Sequence, residues 1–245
     1  YLERFLDVTK SQMFFAKGIL FVEGICEAIL LPEMAKLLER PLDRYAVEIV
    51  NVGGISFRPF AKILALPDTN QCFAKAAIIT DDDRCTDKNH ENTYIDKNLD
   101  FDACLDSIYQ KLVNGHPSER FNKIKEFCEQ VNIELCHAKQ TLEYELALEP
   151  NNIPYLLDAI QCVFPEVGKK LRNLVETEEK HVYKALRIWL FIRARDKRKG
   201  EIAQSLCRLL QKEIEDKEKG IEKGNGFEVP SYIKKAIYAV TEPKE

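Results

Sequence analysis

From Gly18 onward, short apolar runs alternate with stretches of helical periodicity. The run Gly18–Val22 (GILFV) has no polar position, stops at Glu23-Gly24, and predicts a buried strand ending in a turn. Ile25 to Leu38 follows with helical spacing, and Pro32 within it marks a kink or a helix start. Ala46–Val52 is a second β-branched run, closed by Gly53-Gly54, and Ser56 is placed to cap a helix reaching about Leu66. Lys75–Thr80 (KAAIIT) is a third strand that runs into three aspartates, and Val131–Cys136 (VNIELC) is a fourth. Residues 84–98 are polar and aperiodic and read as a loop. Helices are expected near 99–113, 117–130, 141–148, 153–163, 167–193, 199–218 and 230–239. Strands that alternate with helices predict βαβ crossovers, an α/β fold and a mostly parallel, Rossmann-like sheet flanked by helices.

Composition narrows the class. At 245 residues the chain has room for one large α/β core with a helical extension. No window approaches eighteen uncharged apolar residues and no basic-then-apolar leader opens the chain, so neither a membrane span nor a secretory signal is expected. The eight cysteines form no CxxC or other zinc spacing, which fits free thiols in a reducing cytoplasm. The chain opens at Tyr1, which suggests a piece of a longer protein. The net charge of -4 argues against a general polyanion binder. Between Lys180 and Lys199, however, eight basic residues face one acid, Asp196; this stretch is either a phosphate-guiding surface or a solvated helix face.

The candidate chemistry is acidic. Ligands of open parallel sheets bind beyond the carboxyl ends of the strands. Glu23 follows the first strand, Asp81, Asp82 and Asp83 follow the third, and Glu143 comes shortly after the fourth. Glu27 lies one helical turn beyond Glu23. Asp81 and Asp83 alternate, so both are expected to point into one pocket while Asp82 points away. Carboxylates gathered in this way need cations, and hard oxygen donors suit Mg²⁺ or Mn²⁺, with Ca²⁺ a further candidate. Two such ions hold the attacking and leaving oxygens of a phosphodiester. Taken singly, each acid also has an ordinary reading as a turn or helix-start residue. The order in which they occur is the informative part.

That order resembles the TOPRIM signature, and more closely that of the OLD (overcoming lysogenization defect) nucleases. ILFVEGICEAILLPEMAKLL resembles the family's strand, EGxxE and helix. NVGGISFRPFAKIL resembles its second strand and glycine turn, AAIITDDDR its TDxD strand end, and TLEYELA its later Thr-Leu-Glu element. DKRKGEIAQSL resembles its late lysine element, VPSYIKKAI its closing helix, and YLERFLDVTKSQMFFAKGI the arm before the nuclease domain.

The resemblance implies a TOPRIM core over 18–148 with a helical insertion at about 84–130. A lead-in arm would span 1–17, and a helical extension carrying the catalytic lysine would span 149–245. It further implies that Glu23, Glu27, Asp81, Asp83 and Glu143 bind metal, with Thr141 as a helper. Glu23 serves either as a ligand or as a general base, and the pattern does not separate the two roles. Lys199 stabilises charge at the phosphate; it is chosen over Lys197 and Arg198 by its spacing to Glu201 and Ala203. The implied activity is metal-dependent hydrolysis of DNA, with partners in the DNA backbone, a homodimer mate and a preceding ABC-type ATPase region. Defence against phage or DNA processing is implied by family alone. No GxxxxGK[ST] motif occurs in this chain.

Three alternatives remain open. A primase or topoisomerase TOPRIM enzyme would need a zinc module or a recognisable nucleophilic tyrosine element, and neither is seen. A haloacid-dehalogenase-like phosphatase carries its DxD after the first strand, not the third. A non-catalytic TOPRIM module for dimerisation or partner binding would not need its acids.

Overall fold

The computed structural model describes residues 12–54, 56–64, 72–82, 84, 105–221 and 224–242. Most of the expected lead-in arm, Asp83 and nearly all of the loop at 84–98 lie outside them. The chain divides into two compact units. The first comprises residues 1–81, 118–138 and 231–245, and the second residues 82–117 and 139–230.

The first unit is built on four parallel strands in the order β2-β1-β3-β4: β1 (Gly18–Val22), β2 (Val47–Asn51), β3 (Lys75–Asp81) and β4 (Glu134–Ala138). This is the parallel α/β sheet that the alternation of elements predicts. All five residues of β1 are buried. A strand covered on both faces reads as a continuous apolar run rather than an alternating one, which is why GILFV carries no polar position. The helices of this unit are α1 (Ile25–Leu37), α2 (Arg58–Leu64), α4 (Glu119–Val131) and α10 (Ser231–Thr241); α3 (Leu105–Asn114) belongs to the second unit.

One face of the sheet, with Ile19, Phe21, Val50 and Ile78, packs against Phe57, Phe60 and Leu64 around α2 and against Ile124 and Phe127 of α4. Cys128 and Cys136 are buried in this unit, and burial first, then nearby glutamates, push both thiols up to about 12. Helix α10 packs on β1, β3 and β4. Its Ile233, Ala236, Ile237 and Val240 are all buried, and the Lys75 ammonium donates to the Glu242 carbonyl just beyond its end at 2.6 Å. Gly18 permits this approach: a Cβ there would stand 2.7 Å from the Val240 carbonyl oxygen and 2.9 Å from a Val47 methyl.

Helix α1 runs unbroken through Pro32, so no helix starts there, and one boundary in this unit differs from the sequence reading. Strand β4 begins at Glu134 rather than Val131, because α4 extends to Val131 and ends on Asn132 in the left-handed region at φ 53°.

The second unit is helical: α3, α5 (Leu142–Leu148), α6 (Ile153–Val163), α7 (Pro165–Thr177), α8 (His181–Arg193) and α9 (Lys199–Glu218). Helix α8 is buried from Ala185 to Ile192, and Trp189 meets Tyr144 of α5 edge-on at 5.7 Å. Buried Asn152 ties the Leu146 carbonyl (3.1 Å) to both main-chain groups of Glu228 (2.8 Å each). The single helix expected at 167–193 is two helices, broken at 178–180. Glu178 and Lys180 adopt extended backbone, and the Glu178 carboxylate reaches the largely buried Arg187 guanidinium at 3.2 Å. Among the described residues, no helix is long and apolar enough to cross a membrane.

Candidate active site

The first unit centres its acidic chemistry on Glu23. It stands one residue past β1, at the carboxyl edge of the sheet. The Gly54 amide donates to the Glu23 carbonyl at 2.8 Å, and Gly54 sits at φ 139° beside Gly53 at φ 66°. Such angles favour glycine. The Gly-Gly turn after β2 thereby fixes the main chain that carries Glu23. The carboxylate is held from the neighbouring strand. Its Oε1 accepts from the Thr80 hydroxyl and, at 3.2 Å, from the Asp81 amide. Register explains the meeting: Val22 pairs with Ile79, so Glu23 falls beside Thr80.

Asp81 closes β3. Its amide meets Glu23, and its carbonyl accepts from Arg120 Nη2 at 2.5 Å. The structure brings the Glu23 carboxylate onto the Asp81 main chain at the end of β3. Glu27 is in the first turn of α1, and its Oε2 lies 3.2 Å from where a Cβ on Gly24 would stand, folded back over the helix start. Acids at that end suit the partial positive charge of a helix N-terminus.

The remaining candidates belong to the second unit. Asp82 is fully buried and accepts from Arg84 Nε at 2.6 Å, while Asp83 is outside the described residues. Thr141 is the N-cap residue of α5, and among the described residues its buried hydroxyl has no hydrogen-bond partner. Glu143 lies in the first turn of that helix, as does Glu145, whose Oε1 accepts from the Lys139 amide at 2.9 Å. Burial raises the Glu145 carboxyl above its ordinary value, outweighing this bond and the charges of Lys139 and Arg84. Lys199 opens α9, is 44% exposed and lies 3.1 Å from Asp196 Oδ1.

The basic stretch at 180–199 differs from the open cationic surface of the sequence reading, since several of its charges are engaged inside the second unit. Arg187 is paired with Glu178. Arg193 lies over Trp189, and Arg195 over Phe191 at 3.8 Å and Phe164 at 5.6 Å, where burial lowers its pKa. Arg198 forms a two-nitrogen pair with Glu201, 2.7 Å each, and covers Phe164.

Two residues with roles at Glu23 were not read from the sequence as site residues. Thr80 was visible only as the strand end before the aspartates. Arg120 had no signal at all, since its contact with Asp81 spans 39 positions.

These donors are hard oxygens of the kind Mg²⁺ or Mn²⁺ takes. Among the described residues, Glu23 Oε1 has two donors and Oε2 faces Arg120 Nη1 at 3.7 Å, beyond hydrogen-bond reach, which leaves Oε2 as the oxygen open to a cation. Among the described residues, no three His, Cys, Asp or Glu side chains gather as a metal-binding group. The residues thus fit a divalent ion in donor type.

Residues 14–83, which span β1 through the aspartates, match the family model for the overcoming lysogenization defect protein-like TOPRIM domain. This stretch is similar to OLD-like TOPRIM domains. The match ends at the aspartates that follow β3, so the strand ends and the glycine turn at Glu23 and Asp81 lie within it, whereas Arg120 lies outside. The C-terminal region of the OLD protein from Xanthomonas campestris pv. campestris is similar in structure, with a TM-score of 0.55 at 21% identity over 94% of this chain and 95% of that one. The C-terminal region of the Burkholderia pseudomallei OLD protein is similar at a TM-score of 0.51 and 20% identity, over 93% and 98%. The chain thus has the fold of OLD C-terminal regions, with the TOPRIM domain at its start and a helical extension. No curated protein matches it.

Proposed function

We propose that this chain is the nuclease module of an OLD-type protein, hydrolysing DNA phosphodiester bonds with divalent metal. One observation carries the reading: Glu23, in an OLD-like TOPRIM domain, is seated on the Thr80–Asp81 strand end with one carboxylate oxygen saturated and the other left for a cation. Glu23, Glu27, Asp81, Asp83 and Glu143 are the ligands of this proposal, with Thr141 Oγ1 as an auxiliary oxygen. A pair of Mg²⁺ or Mn²⁺ ions would supply hydroxide at neutral pH and offset charge on the leaving oxygen.

The chain's own contribution is placement. Thr80 and the Asp81 amide orient Glu23, and Glu27 stands in the first turn of α1, where an acid suits the helix dipole. Lys199 offsets charge on the scissile phosphate, a kind of contribution that dominates many enzymes. DNA is held through its backbone without reading sequence. A preceding ATPase region of the same protein, a homodimer mate and a role in phage defence belong to the same proposal.

The test is cleavage of supercoiled plasmid by this chain with Mg²⁺, Mn²⁺ or EDTA, alongside Glu23→Gln and Asp81→Asn. Nicking or linearisation is expected with metal only, and each variant should lose at least about a hundredfold in rate while its circular dichroism is unchanged. Equal cutting by wild type and both variants, or cutting in EDTA, would overturn the proposal.

A further inference from the structure

We propose that Arg120 is the built-in counter-cation of Glu23 and competes with a divalent ion for its carboxylate. The inference rests on the reading of Glu23 as a metal-binding residue. Arg120 is held independently of Glu23. It stands in the first turn of α4, where Ser118 caps the helix by accepting from the Phe121 amide at 3.1 Å. The Phe121 ring lies against His137 of β4, with centroids 4.4 Å apart. His137 is in register with Thr80, the residue that donates to Glu23. The first turn of α4 is thereby seated on the same strand ends that hold the carboxylate.

From this turn one guanidinium nitrogen donates to the Asp81 carbonyl at 2.5 Å, and the other reaches to 3.7 Å from Glu23 Oε2. The main-chain bond is the tight half and the ion pair the loose half. Both side chains are largely covered, at 27% and 20% exposure, so bulk water screens the pair only in part. Any cation bound at Oε2 therefore meets a positive group that the protein does not release, and like charges at such distances repel. Arg120 keeps Glu23 oriented without an ion and sets the affinity with which an ion is taken up. It is a positioning residue.

Mn²⁺ binding to the whole chain, by titration calorimetry and by the ion-induced rise in Tm, tests this. The proteins compared are wild type, Arg120→Gln, Arg120→Lys, Glu23→Gln and the Arg120→Gln/Glu23→Gln double variant. Arg120→Gln should bind Mn²⁺ about two- to fivefold more tightly, the scale of a partly exposed ion pair. Without ion its Tm should fall, and Mn²⁺ should restore it. Arg120→Lys keeps the charge but loses the two-pronged reach, so its affinity should lie between those two. Glu23→Gln should lose binding in either background. Affinity in Arg120→Gln equal to or weaker than wild type, with binding still lost in Glu23→Gln, would overturn the competition and leave the nuclease reading standing. If Arg120→Gln does not fold, an Arg120→Lys affinity no higher than wild type overturns it equally. Glu23→Gln binding Mn²⁺ like wild type would remove both proposals.

Discussion

At Glu145 two opposing effects meet on one carboxylate. The Lys139 amide and the charges of Lys139 and Arg84 favour the ionised form, and burial disfavours it more strongly. A folded-state pKa above the ordinary 4.5 means the folded protein binds the proton more tightly than the unfolded chain. Its contribution to stability is full below the unfolded value and is lost as pH rises through the folded one. Glu145→Gln keeps an oxygen for the Lys139 amide and removes the titration. Thermal melts across this range should show the variant gaining stability relative to wild type as pH climbs from acid toward neutral, and a gap that stays constant with pH would refute the assignment. Residues of this kind also show what could be read in advance. Glu23 stood out because an apolar run ended in an acid followed by glycine. At Asp81 the main-chain amide meets Glu23, a contact that no residue pattern announces. Arg120 arrives from a helix whose packing against β4 no local pattern records.

Elements were legible where one physical cause fixed them. The uniformly apolar β1 could only be a covered strand, and the Gly-Gly turn after β2 needed backbone angles that side chains disfavour. The break at 178–180 was hidden because its cause is tertiary: Glu178 leaves the helix to meet Arg187, nine residues on, and the periodicity on either side gives no sign of it. Gly18 tests how closely α10 is seated on β1. A methyl group there would press on the Val240 carbonyl, which is main chain and cannot swing aside. Gly18→Ala should cost about 1–3 kcal/mol, the scale of overpacking a filled core. A denaturant midpoint unchanged from wild type would show that α10 yields more easily than its contacts suggest.

For the whole molecule, neither unit is one continuous length of chain. The first is assembled from three segments and the second from two. The sequence reading grouped the closing helix with the helical extension, because it follows a long helical run; in the structure it belongs with the sheet. Its role there is large. Ile233, Ile237 and Val240 are buried, at about 1.5–3 kcal/mol per fully covered side chain, a sum close to the 5–15 kcal/mol of a typical domain's net stability. Deleting residues 231–245 should therefore give insoluble or unfolded protein by circular dichroism, and a soluble product with native strand signal would contradict this role for α10. Cys128 and Cys136 carry a last consequence. Thiols that keep their protons well into the alkaline range are poor nucleophiles and poor partners for soft ions such as zinc or copper(I). Neither sulfur would draw such an ion away from the carboxylates, and mild oxidants should leave these two thiols untouched.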